Sequence, residues 1–164
     1  QSGIEGRQAL FAEMIRLGTV ERREPFRNPE AARTVWKEIL ATADAYNQPG
    51  RFTTLTGFEW SSTPKGDNLH RIVLFADGAD KTSQILPFSM FDSENPEDLW
   101  KHPAAVEAET GGELLAIPHN GNLSNGRMFT VESFDGKPLT KELATLRARF
   151  EPLPGRVASS RTVG

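Results

Sequence analysis

Apolar residues recur at helical spacing at both ends of this chain and gather into short runs in its middle. Leu10, Phe11, Met14 and Ile15 predict an amphipathic helix over residues 3–18. Ser2 and Glu5 fit a capping box at its start. Ile4-Glu5-Gly6-Arg7 also matches a protease site used in recombinant expression. Glu21 to Glu24 reads as a solvated, mixed-charge linker. Asn28-Pro29 is an N-cap followed by proline at the first helical position, and Val35, Trp36, Ile39, Leu40 and Ala43 then mark one face, with Pro49-Gly50 as the stop. The period changes at Phe52. Residues 52–60 are rich in β-branched and aromatic side chains and predict a strand, as do 70–75 and 113–118. Asn95-Pro96 repeats the capping device, but Pro103 predicts a break, hence a short turn near 96–101 and a helix over 103–110. Leu143, Leu146 and Phe150 predict a last helix over 140–150. Residues 154–164 have no period and read as an irregular tail.

Strands mixed with helices argue an α/β architecture with a small sheet flanked by helices. Crossover helices would make that sheet parallel, and a parallel sheet needs cover on both faces. The expected apolar faces and edges predict completion by further sequence or by a second copy, hence a homodimer.

Composition narrows the function classes. The 164 residues are 37% hydrophobic and 25% charged, as in a soluble protein with one core. A net charge of −3 and aromatics that lie on core-like stripes argue against nucleic acid as a partner. No apolar run is long enough for a membrane span. There is no cysteine, so any metal must be held by histidine, carboxylate, amide or water.

Three strand ends carry candidate chemistry. Glu59 closes the first strand; it either pairs with a cation such as Lys65 or Arg71 or binds a metal, because an isolated buried charge is too costly. His70 opens the second, as a metal ligand or as a surface histidine donating to a loop carbonyl. His119 follows an apolar run directly and precedes a loop of Asn, Gly and Ser, where Gly121 and Gly126 permit close backbone approach. Glu, His and His are the residue types a divalent-metal site uses. His102 reads instead as an exposed N-cap, and Arg71 and Arg127 as either anion-binding forks or ordinary surface residues. Ser61, Ser62 and Thr63 lie in no nucleophile-elbow pattern.

Gly57-Phe58-Glu59-Trp60-Ser61-Ser62, Asn68-Leu69-His70-Arg71-Ile72-Val73-Leu74-Phe75 and Ile117-Pro118-His119-Asn120-Gly121-Asn122-Leu123-Ser124-Asn125-Gly126 resemble the bacterial proteins grouped as DUF3604. That group is similar to the PHP superfamily, the polymerase and histidinol phosphatase metallohydrolases. The resemblance covers residues 1–153 and implies a partial, distorted β/α-barrel-like segment. It implies a phosphoester hydrolase that uses a divalent metal (Zn, Mn or Fe), with Glu59, His70 and His119 as ligands and a small-molecule phosphoester as substrate. It places the protein in a bacterial cytoplasm or periplasm. Arg71 and Asn120 are then the candidates for stabilising developing charge. The family's opening His-x-His strand, its Asp-His strand end and its closing Asp-x-His pair are absent here, so the chain looks like a middle segment. The alternative expectation is an inactive, truncated fragment acting as a self-associating scaffold.

Overall fold

The computed structural model describes residues 3–21 and 28–152. Ser2, most of the charged linker and the 154–164 tail fall outside those residues. Helix α1 (Ile4–Ile15) runs into one π-helical turn, and α2 spans Pro29–Tyr46. Strand β1 (Thr56–Trp60), β2 (Arg71–Phe75), the short α3 (Ala79–Thr82), α4 (Pro96–Thr110), β3 (Leu114–Pro118) and α5 (Lys141–Phe150) follow. The two predicted Asn-Pro caps form: Asn28 Oδ1 accepts from the amides of Glu30 and Ala31, and Asn95 Oδ1 accepts from Glu97 N at 2.9 Å.

The three strands form one open sheet in the order β1-β2-β3, not closed into a barrel. Both pairings are antiparallel, which corrects the parallel expectation. For β1 and β2 the physical reason lies in residues 61–70. They hold only one short 3₁₀ turn, so the chain doubles back as a long hairpin instead of crossing over. Strand β1 is also shorter than predicted. Phe52 makes only an isolated bridge to Gln48 and is exposed, as is Leu55.

Helix α4 runs unbroken through Pro103. A proline inside a helix costs about 3 kcal/mol, but this one is fully buried on the face that also buries Leu99, Trp100 and Val106. That burial offsets the missing amide. His102 is therefore a mid-helix residue and not an N-cap; its ring stacks on Phe88 at 4.8 Å. Burial pushes its pKa below the ordinary histidine value.

Alternation along the strands sorts side chains onto two faces. Thr56, Trp60, Arg71, Val73, Phe75, Leu114, Ala116 and Pro118 face inward, where Val73, Phe75, Leu99, Val106 and Leu114 join Trp36 and Leu40 of α2 in the core. Two indole N–H groups are satisfied within it, Trp36 by Thr82 O and Trp60 by Ser93 O. The other face carries Gly57, Glu59, Ile72, Leu74, Leu115 and Ile117 and is only partly covered. Only Trp36 and Leu40 of the predicted α2 face are buried; Val35 and Ile39 are exposed, as are Leu10, Phe11 and Met14 of α1.

Candidate metal centre

Sheet register brings the three candidate ligands together. Glu59 pairs with Ile72 and Ile72 with Ile117, so these three form one row on the open face. Two residues further along each ladder is the next row, where His70 and His119 stand opposite each other; His119 N donates to His70 O at 3.3 Å. Glu59 is thus the diagonal neighbour of His70, a distance that long side chains bridge.

The side chains meet. Glu59 Oε1 lies 2.8 Å from His70 Nδ1 and 3.2 Å from His119 Nε2. The imidazoles meet edge to face, 5.8 Å between centroids. One ligand atom from each residue lies within 4.8 Å of the others, the one such grouping among the described residues. One carboxylate and two imidazoles could hold a divalent ion and leave coordination positions open. Glu59 is the most exposed of the three, with its side chain 46% accessible, so the centre opens to solvent. His119 Nδ1 is buried and has no hydrogen-bond partner among the described residues. Glu59 therefore pairs with the two histidines, not with Lys65 or Arg71.

Two loops carry the histidines, and both are braced. Asn68 Oδ1 accepts from His70 N, and Thr63 Oγ1 lies 3.0 Å from His70 Nε2. Asn68 N donates to Leu123 O across to the loop that follows His119. Asp67 completes the link by accepting from Asn125 Nδ2 and, at 2.9 Å, from Arg127 Nη1. Arg127 is thus an internal strut. Asn120 and Asn125 adopt left-handed backbone, φ 57° and 50°, which asparagine tolerates better than most residues. Asn120 is exposed beside His119.

The Arg127 hydrogen bond, then that of Asn125, holds the Asp67 carboxyl below its ordinary value. A depressed folded-state pKa contributes stability above the unfolded value, near pH 4, and that stability is lost as pH falls through the folded value. Asp67→Asn is therefore expected to flatten the acid limb of the stability profile below about pH 4. Denaturant midpoints across that range measure it, and an unaltered acid limb would count against the brace.

Arg71 is placed elsewhere. It projects from the buried face of β2, where its Nε donates to Glu151 Oε1 at 2.9 Å and its guanidinium lies over Trp60. The structure does not bring it to the cluster, because neighbours on a strand point to opposite sides. Asp67 and Glu151 were not singled out by the sequence, and Thr63 was weighed only as a nucleophile. Asx and Ser/Thr residues in a loop next to a ligand are the signal that bears on Thr63 and Asp67; nothing local marks Glu151.

The fold and site define an α/β protein that gathers one carboxylate and two imidazoles, donors of the kind that bind divalent metals, on an open antiparallel sheet. The chain belongs to the family described as "Protein of unknown function (DUF3604)", which matches residues 7–155. Comparisons with curated proteins and with solved structures return no match. Among the described residues no helix is long and apolar enough to cross a membrane.

Proposed function

We propose that this chain carries the metal centre of a divalent-metal-dependent phosphoester hydrolase, of the phosphodiester or phosphotriester class. The observation that carries the reading is the convergence of Glu59, His70 and His119 from three strand ends. The resemblance to PHP metallohydrolases supplies the reaction class. A bound Zn, Mn or Fe ion would polarise the phosphoryl group and make a water acidic enough to attack near neutral pH.

The chain's own residues prepare this chemistry. Glu59 offers negative charge at the solvent boundary, while the two imidazoles are more enclosed, with 20% and 27% of their side chains accessible. The brace through Asp67 keeps the His70 and His119 loops in register. Asn120 follows the strand end and is exposed, so its amide can donate to a phosphoryl oxygen as charge develops there. Arg71 supports the strand that carries His70 and has no direct contact role.

Chelator-treated protein, reconstituted with Zn, Mn or Fe, is expected to regain turnover of phosphodiester or phosphotriester substrates together with stoichiometric metal. Equal turnover in chelated and reconstituted protein would end the proposal.

A second reading, an inactive self-associating scaffold, is favoured by one observation. Ile72 is 39% exposed on the open sheet face, beside Leu74, Leu115 and Ile117, and the outer edges of β1 and β3 pair with no further strand among the described residues. A metal-free homodimer in light scattering, with no esterase activity at any metal, would support that reading over the first.

A further inference from the structure

His70 is gripped at both ring nitrogens. Glu59 Oε1 stands at Nδ1 and Thr63 Oγ1 at Nε2. A carboxylate only accepts hydrogen bonds, so in the metal-free neutral ring the proton belongs on Nδ1 and the Thr63 hydroxyl donates to Nε2. Ligation through Nδ1 requires a bare lone pair there. The ring proton must then sit on Nε2, and its neighbour must accept it.

A hydroxyl can play either part, and Thr63 has a place for its own hydrogen in the second part: Ser61 O lies 3.5 Å from Oγ1. His119 has no equivalent. Its Nε2 faces Glu59, so ligation there moves its proton to Nδ1, which is buried without a partner among the described residues. A buried N–H without an acceptor disfavours that tautomer. The two histidines are therefore unequal, and only His70 has an outer partner for both of its neutral tautomers.

We propose that Thr63 is a positioning residue for the metal centre: its hydroxyl turns from donor to acceptor as His70 passes from the Nδ1–H to the Nε2–H tautomer, and so holds the ring in one place in both states. This rests on the metal-binding reading above and adds to it a residue, a ligating atom and an order of preparation between the two histidines.

The test is imidazole ¹⁵N NMR of the full chain, metal-free and zinc-loaded, at a pH where the rings are neutral, with zinc titration of the same samples. His70 is expected to carry its proton on Nδ1 without zinc and on Nε2 with it. Thr63→Val keeps the side-chain shape and is expected to weaken zinc binding by about 10–100-fold, with Thr63→Ser restoring it to within about threefold. Two results overturn the role of Thr63 alone: zinc-loaded His70 protonated on Nδ1, or wild-type affinity in Thr63→Val. Wild-type protein that takes up no zinc, manganese or iron overturns the metal reading and this inference together. Circular dichroism on each variant separates a lost hydroxyl from a lost fold.

Discussion

Replacing His119 by alanine is expected to lower divalent-metal affinity by more than about 100-fold, since loss of a ligand must exceed the 10–100-fold cost of losing a ligand's outer partner. The same holds for His70→Ala. Glu59→Gln tests a different property, because it keeps the shape and removes the charge. Glu59 Oε1 lies within reach of both imidazoles. A neutral amide there would present either a weak acceptor or an N–H group to an incoming cation, so its loss of affinity is expected to be of similar size. None of the three changes should disturb the fold greatly. The side chains are partly exposed, and a single hydrogen bond of that kind contributes about 0.5–1.5 kcal/mol. Calorimetric titration with zinc or manganese, paired with urea unfolding of the metal-free proteins, separates the two effects. Retention of wild-type affinity in His119→Ala would remove this residue from the centre.

Much of this centre was legible in the sequence, for a simple reason. Each candidate ligand stands at the end of an apolar run, and strand ends are where a sheet hands side chains to solvent. Glu59, His70 and His119 could be picked on that ground before any contact was known. Their mutual geometry was not legible, because it depends on register. The expectation of parallel strands would have given other neighbours; the antiparallel return through residues 61–70 sets Glu59 diagonal to His70, and the antiparallel β2–β3 pairing puts His70 opposite His119. The fate of Arg71 shows the same limit. One position separates it from His70, and alternation sends it into the core, where its partner lies eighty positions further on. Pro103 misled for a different reason. Local propensity predicted a break, and tertiary burial of the α4 face overrode it. His102, read as a cap on the strength of that break, became a stacked, half-buried ring in consequence.

The second large effect concerns that distant partner. Glu151, immediately after α5, is completely buried, and so is Arg71, with 1% of its side chain accessible. Glu151 Oε1 also accepts from Trp100 Nε1 at 2.7 Å, and Arg147 approaches Oε2 at 3.5 Å while donating to the carbonyls of Met128 and Thr130. One carboxylate thus ties α4, α5 and the loop after β3 to the strand that carries His70. Burial pushes the Arg71 guanidinium below its ordinary value; the Glu151 charge and hydrogen bond oppose that, and the nearby Arg147 adds to it. Glu151→Ala leaves Arg71 buried beside another cation with no anion, and breaking such a pair from one side is expected to cost about 3–5 kcal/mol. Against a total stability of about 5–15 kcal/mol, that loss brings the fold close to its limit. Removing both charges is a different matter. Arg71→Met with Glu151→Leu removes the fully buried cation, so the double variant should recover much of the loss, short of about 1–3 kcal/mol for the Trp100 N–H left without its acceptor and of the ion pair that Arg147, still bound to the Met128 and Thr130 carbonyls, loses. Urea unfolding of the single and double variants measures the difference. If Glu151→Ala unfolds within about 1 kcal/mol of wild type, the pair is not the anchor of α5. Hydrogen exchange adds a local reading: faster exchange in residues 141–150 than in β2 would place the first opening at the helix that Glu151 terminates.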